Sequence, residues 1–150
     1  MPTRNAYELP PAGRLLAIDV GSKTLGLAIS DGLRMVASPR PTIKRGKWTD
    51  DAAALKKLIA TDQVTALVVG LPLLMKGDHA SQADVAQSFA HQAEKDLGLP
   101  VLLWDERLTS VAAERALQEG GVRRKDNKAN NIDSLAATLM LQGVLELLRH

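Results

Sequence analysis

The chain has 150 residues, 45% of them hydrophobic, which is enough for one globular domain with a buried core and leaves little room for a second. It contains no cysteine, which excludes a disulfide framework and a thiolate metal site. The formal net charge is +2 and the pI is about 9.0, a mild basic bias that permits nucleic-acid binding without requiring it. No apolar run approaches the roughly 20 residues of a membrane-spanning helix, so we expect a cytoplasmic protein without a membrane partner.

The first third of the chain predicts a leader and three strands. Residues 1–13 hold three prolines and one glycine with almost no periodicity, so we expect a flexible leader ahead of one domain over 14–150. Three apolar runs follow, and each predicts a strand: 15–20, 25–30 and 35–43. The third run carries Pro39 and Pro41, which confine it to a sheet edge. The short links between the runs predict an antiparallel meander.

The rest of the chain alternates between helical and strand patterns. Apolar spacing predicts two further buried strands, at 64–69 and 101–104. It predicts four helices, at 50–60, 80–97, 110–118 and 132–148. Antiparallel strands followed by alternating helices and strands are typical of a mixed α/β sheet with helices on both faces. The predicted fold is therefore a five-stranded mixed sheet, with three antiparallel strands and then parallel ones.

Acidic residues stand where several of these elements begin or end. Asp19 lies near the end of the first strand, Asp105 and Glu106 follow the strand at 101–104, and Asp133 lies in the first turn of the last helix. Ligands of open α/β sheets bind at the carboxyl ends of the parallel strands, so the fold can bring these acids together. Side chains alternate along a strand, so only one of Asp105 and Glu106 should point into such a site. Clustered carboxylates would suit a hard divalent cation.

Each acid also has a simpler interpretation. An aspartate at a strand end often begins a turn, and Asp133 can complement the positive end of a helix dipole. Asp105 can pair with Arg107 instead of facing a site. The three acids Asp19, Glu106 and Asp133 are so far apart in sequence that only tertiary folding can join them, and no local spacing decides between the two interpretations.

Two segments carry concentrated positive charge. Residues 120–131 combine two glycines with four basic residues directly before Asp133: Arg123, Arg124, Lys125 and Lys128. This composition suits a flexible lid over a polyanion, although a solvated loop has the same composition. A second basic stretch consists of Arg40, Lys44, Arg45 and Lys47.

Four separated motifs resemble those of one known family. They are AIDVGSKTLGLAISD (17–31), VVGLPLLMKGDHASQA (68–83), LLWDERLTSVAAERAL (102–117) and NNIDSLAATLMLQGVLE (130–146). In sequence and order they are similar to the YqgF family of pre-16S rRNA nucleases, also called Holliday-junction resolvase-like proteins. The resemblance implies a ribonuclease H-like fold and a bacterial cytoplasmic protein that matures the 5′ end of 16S rRNA. Asp19, Glu106 and Asp133 match the acidic active-site positions of that family.

The sequence departs from the family pattern at two positions. Thr24 stands where the family usually has arginine, and Leu74 stands where it usually has asparagine. Lys23 can compensate for the first change. The second removes a polar group from a segment that would approach substrate, but neither change touches the acids.

The resemblance also implies a mechanism. Two Mg²⁺ or Mn²⁺ ions, roughly 3.5 to 4 Å apart as in other two-metal sites, would be bridged by Asp19 and completed by Glu106 and Asp133. Lys23, Arg107 and the loop at 123–128 would neutralise the nucleic-acid backbone. The expected partner is pre-16S rRNA, within a ribosomal precursor particle, or branched DNA.

Three alternatives remain open at this point. The protein could be a Holliday-junction resolvase-type DNA endonuclease, which would need a homodimer to cut two strands symmetrically. It could be a non-catalytic RNA-binding assembly factor. An actin-like ATPase relative is the third alternative, although 150 residues supply only one wall of the cleft that such proteins use.

Overall fold

The computed structural model describes residues 1–71, 80–106 and 132–149. Five strands and three long helices lie in these ranges: β1 (Arg14–Val20), β2 (Thr24–Ser30), β3 (Ala37–Lys44), α1 (Trp48–Asp62), β4 (Val64–Leu71), α2 (Ala80–Leu97), β5 (Val101–Asp105) and α3 (Ile132–Arg149). These elements agree with the sequence prediction to within a few residues at each end. The helix predicted at 110–118 lies outside the described residues.

The five strands form one mixed sheet in the order β3-β2-β1-β4-β5. β1 pairs antiparallel with β2, and β2 with β3. β4 lies parallel to both β1 and β5. The predicted strand arrangement is therefore confirmed, with the proline-bearing β3 at one edge. The carboxyl ends of β1, β4 and β5 share one side of the sheet, which we call the carboxyl edge.

Each face of the sheet packs against its own helices. On one face, Leu16 and Ile18 of β1 join a core with α1 and α2. On the other face, Leu15 and Ala17 join a core with α3. Alternation of side chains along β1 then directs Asp19 toward the α3 face. None of the helices in the described ranges is both long enough and apolar enough to cross a membrane.

The first residues of the chain are packed against the domain. The backbone N–H of Thr3 donates to the carbonyl of Val101 at 2.9 Å, and Leu103 N–H donates to the carbonyl of Thr3 at 2.7 Å. A short 3-10 helix follows at Ala6–Glu8, and Ala6 and Leu9 are buried in the core under α3. An edge strand such as β5 offers unpaired backbone groups, and Thr3 pairs with them.

Candidate active site

Asp19 lies at the carboxyl edge, one residue before the end of β1. It pairs across the ladder with Gly26 of β2. The turn that follows is closed by the Gly21 N–H, which donates to the Thr24 carbonyl at 2.9 Å. A side chain at Gly21 would place its Cβ 2.9 Å from that same oxygen, so glycine is what lets the turn close directly after Asp19.

Glu106 reaches the same edge from β5. Its backbone N–H donates to the carbonyl of Leu71 at 3.1 Å, so pairing with β4 continues one residue past the end of β5. Leu102 and Trp104 belong to the core under α3, and alternation places Glu106 on that face too. Asp105 falls in register with Leu103, on the opposite face. Of the two adjacent acids, Glu106 is therefore the one on the same face as Asp19.

The carboxyl groups of Asp19 and Glu106 are in contact. The pKa of Glu106 is raised to about 7, first by burial, then by the negative charge of Asp19 and by a hydrogen bond to Asp19, and least by the charge of Asp105. A hydrogen bond that raises the pKa of an acid favours its neutral form, so Glu106 donates its proton to Asp19. Two carboxylates this close cannot both ionise without a compensating cation.

Gly70 of β4 leaves the space that the Glu106 carboxyl group occupies. A Cβ built on Gly70 would lie 2.7 Å from Oε1 of Glu106 and 2.8 Å from Sδ of Met140. Both distances are shorter than van der Waals contact. Gly70 pairs with Trp104 of β5, and its neighbour Val69 pairs with Ile18 of β1. The glycine thus lies between the two strands that carry Asp19 and Glu106.

Asp133 belongs to the first turn of α3, and its backbone is held near the same edge. Its neighbour Ser134 is fully buried, donates through Oγ to the Arg40 carbonyl at 2.6 Å and accepts a longer bond of 3.4 Å from the Leu27 N–H. Leu27 follows Gly26, the ladder partner of Asp19. The start of α3 is therefore bound beside Asp19, while the side chain of Asp133 lies outside the described residues.

The described side chains form only part of the predicted metal site. Among the side chains that the structure describes, no group of three His, Cys, Asp or Glu residues lies close enough to hold a metal ion. The two that do meet, Asp19 and Glu106, are hard oxygen donors of the type that Mg²⁺ and Mn²⁺ bind. The absence of a side chain at Gly70 leaves room for the Glu106 carboxyl group at this edge. The residues present therefore fit a hard divalent cation.

The predicted basic residues divide between described and undescribed parts of the chain. Lys23 is exposed in the turn directly after Asp19. The other predicted cations lie outside the described residues: Arg107, Arg123, Arg124, Lys125 and Lys128.

Two residues of the site were not predicted in their observed roles. Gly70 lies just beyond the strand predicted at 64–69, whereas the structure includes it in β4, and a glycine within a strand signals the close approach of another group. Ser134 stands next to a predicted metal ligand, but nothing in the sequence marks its bond to the β3 backbone.

The sheet order and the helices on both faces define a ribonuclease H-like fold, and solved structures share it. The Thermus thermophilus RuvC structure in complex with a Holliday junction superposes with a TM-score of 0.59 at 15% identity, covering 91% of this chain and 93% of that one. A second Thermus thermophilus RuvC structure gives a TM-score of 0.52 at 16% identity, over 89% and 96% of the two chains. At this identity the likeness shows the fold alone.

The family is defined by sequence. The chain belongs to the RuvX family, described as Holliday junction resolvase, whose model matches residues 13–147. RuvX and YqgF denote the same family, so the resemblance seen in the four motifs is confirmed.

Curated relatives match almost the whole chain. A protein of Paracoccus denitrificans is 47% identical over 144 residues, which are 96% of this chain and 90% of the relative. A protein of Rhodobacter capsulatus is 44% identical over 145 residues, 97% and 91% of the two chains. Both carry the name "Putative pre-16S rRNA nuclease".

Proposed function

We propose that this protein is a metal-dependent nuclease that hydrolyses phosphodiester bonds, and that it acts in the cytoplasm on the 5′ end of pre-16S rRNA. The observation that carries the proposal is the contact between Asp19 and Glu106 at the carboxyl edge, where Glu106 retains a proton near neutral pH. An acidic pair of this kind is built to receive positive charge. Membership of a family of resolvases supports nuclease chemistry on the same fold.

Asp19, Glu106 and Asp133 would hold the metal. The proposal includes Asp133 because α3 begins beside Gly26, the ladder partner of Asp19, and Ser134 fixes that start to β3. A bound divalent cation would supply Lewis-acid stabilisation of the phosphate and a water of lowered pKa. Binding of the cation would require Glu106 to give up the proton that it shares with Asp19.

The chain's own residues would perform the remaining tasks. Gly70 would leave room for the Glu106 carboxyl group to lie against Asp19. Lys23 stands in the turn that follows Asp19, where its positive charge would offset that of the nucleic-acid backbone. Apolar packing behind the site, with Met140 against the position of Gly70, would keep the Glu106 carboxyl group in place.

We propose RNA as the physiological substrate because curated relatives at 44% and 47% identity carry the name of a pre-16S rRNA nuclease. Branched DNA is the second candidate, because the family itself is described as Holliday junction resolvase. The two substrates share a phosphodiester backbone, so the same acidic pair would serve both.

The test is cleavage of three labelled substrates: a precursor 16S rRNA fragment, a single-stranded RNA of unrelated sequence and a four-way DNA junction. Each is incubated with EDTA, Mg²⁺ or Mn²⁺, using the wild type, Asp19→Asn and Asp133→Asn. Asp62→Asn is the matched control, since Asp62 ends α1 and pairs with Arg40. We expect cleavage that requires metal, is fastest on the precursor fragment and is lost in the first two variants only.

Other outcomes would decide between the alternatives. Preference for the junction would move the substrate from RNA to DNA. Binding of RNA without cleavage under any metal condition, unchanged by Asp19→Asn, would overturn the nuclease proposal in favour of a non-catalytic assembly factor.

A further inference from the structure

Two exposed lysines flank the carboxyl edge on the side of β3. Lys44 is the last residue of β3 and pairs with Thr24, the first residue of β2. Lys23 directly precedes Thr24, in the turn that follows Asp19. Both lysines are exposed. The strand pairing therefore places two positive side chains beside the turn that leads away from the acidic pair.

Lys44 lies on the same face of the sheet as the acids. Its neighbour Ile43 packs against the core of α1 and α2, so alternation turns Lys44 to the α3 face. Strand spacing and rise place the Cα atoms of Lys44 and Asp19 about 12 Å apart, two strands across and two residues along. Lys44 is therefore too far away to contact a group held by Asp19, and well placed for a neighbouring phosphate of the same nucleic-acid strand.

Arg45 fixes the relative position of the two lysines. Its backbone N–H donates to the carbonyl of Lys23 at 2.8 Å, and its guanidinium Nη1 donates to the carbonyl of Gly21 at 2.8 Å. The turn after Asp19 is thus bound to the end of β3 at two points. Lys23 and Lys44 extend from backbone that is rigidly connected, although their side chains are free to adapt.

Neither lysine forms an ion pair with a residue that the structure describes. The ion pairs seen between described residues, such as those of the Met1 amino group with Glu94 and of Arg40 with Asp62, do not include either lysine. Lys47 differs, because Asp50 and Asp51 follow it in the first turn of α1 and offset its charge. Lys23 and Lys44 are therefore exposed cations of this region that can attract a polyanion.

We propose that Lys23 and Lys44 form a phosphate-binding track, which guides the substrate strand away from the acidic pair along the β3 side of the sheet. This inference rests on the proposed nuclease function and adds the surface that the strand occupies. Lysines bind phosphate as point charges and carry no sequence information, so the track sets position and affinity rather than specificity.

The test measures binding separately from cleavage. Fluorescence anisotropy in EDTA gives the affinity of the wild type, Lys23→Gln and Lys44→Gln for labelled single-stranded RNA and DNA at several KCl concentrations. Lys95→Gln is the matched control, because Lys95 is an exposed lysine in the last turn of α2, at the opposite end of the sheet. Thermal denaturation of each variant confirms that it is folded.

We expect Lys44→Gln and Lys23→Gln each to weaken binding several-fold on every sequence, and to reduce the slope of log affinity against log salt by about 1. In the double variant, the decrease in log affinity should equal the sum of the decreases in the two single variants. Lys95→Gln should leave affinity and slope unchanged. An unchanged slope in Lys44→Gln, an equal effect in Lys95→Gln, or no nucleic-acid binding by the wild type would overturn the track.

Kinetics separate failure of the track from failure of the proposed function. In a substrate titration with metal, Lys44→Gln should raise KM and leave kcat within about twofold, whereas Asp19→Asn should abolish cleavage. If the wild type cleaves but Lys44→Gln changes neither KM nor the salt slope, the track is wrong and the nuclease stands. If the salt slopes change as expected but no metal supports cleavage, the nuclease is wrong and the track stands as a binding surface.

Discussion

Glu106 donates a hydrogen bond to Asp19 across β4, and Gly70 of that strand provides the space in which the two side chains meet. The contact joins strands that are not neighbours in the sheet, since β4 lies between β1 and β5. A side chain on the intervening residue would fill the gap. The contact between Asp19 and Glu106 therefore depends on the absence of a side chain at Gly70 as well as on the two acids.

The first prediction concerns Gly70. Gly70→Ala should displace the Glu106 carboxyl group, because the new Cβ would lie 2.7 Å from Oε1. We expect a stability loss of about 1 to 3 kcal/mol from overpacking, together with a large loss of cleavage. Urea denaturation and the cleavage assay measure the two effects. Gly32→Ala is the control, since nothing lies within 4 Å of its Cβ position; equal behaviour of the two variants would contradict the prediction.

The second prediction concerns pH. The pKa of Glu106 is raised to about 7 from an ordinary value of 4.5, so the folded protein holds a proton that the unfolded chain releases. The stability that this proton contributes is complete below pH about 4.5 and is lost as the pH rises through about 7. Without metal, the Tm of the wild type should fall over this range more steeply than the Tm of Glu106→Gln.

Mg²⁺ should reverse that trend, because the cation and the proton compete for the same carboxyl groups. The increase in Tm on adding Mg²⁺ should therefore grow as the pH rises from 5.5 to 8. These two pH values lie about one unit or more below and above a pKa near 7. Thermal denaturation followed by circular dichroism measures both trends. Glu146→Gln, an exposed acid on α3, is the control. Parallel pH curves for the wild type and Glu106→Gln would show that Glu106 titrates normally.

A third prediction separates the adjacent acids Asp105 and Glu106. Asp105 lies in register with Leu103, on the face opposite to Asp19, and has the smallest influence on the pKa of Glu106. Glu106→Gln should reduce kcat by at least about 100-fold, since losing one group that stabilises the transition state costs about 10² to 10³. Asp105→Asn should retain most of the activity. Comparable losses in the two variants would place Asp105 in the site as well.

A fourth prediction concerns Ser134, which connects α3 to the sheet. Ser134→Ala removes the hydrogen bond from a buried hydroxyl to the Arg40 carbonyl, and we expect a loss of about 1 to 3 kcal/mol in the free energy of unfolding. Activity should fall as well, since the start of α3 carries Asp133. Thr138→Ala is the control, because the Thr138 hydroxyl donates to the Ser134 carbonyl within the same helix. Urea denaturation measures the free energy of unfolding of both variants. An equal loss of stability in Thr138→Ala would contradict the prediction.

The strands and helices of the described chain could be predicted because their patterns are local. Runs such as 15–20 and 64–69 are apolar at all but one position, as is typical of buried strands. Pro39 and Pro41 marked β3 as an edge strand because proline cannot donate to a central ladder. The two backbone hydrogen bonds between Thr3 and β5 could not be predicted, since they depend on which strand forms the sheet edge, and no local pattern records that.

The sequence alone determined the family, through its four motifs, and it indicated Asp19, Glu106 and Asp133 as candidate site residues because they stand at element ends. It could not determine which of these residues meet, because contact between residues so distant in sequence is set by strand order. Only the tertiary structure placed β4 between β1 and β5, with Gly70 of β4 next to the Glu106 carboxyl group. The same folding buried Glu106 and raised its pKa, since burial and a neighbouring charge are properties of a site rather than of a residue.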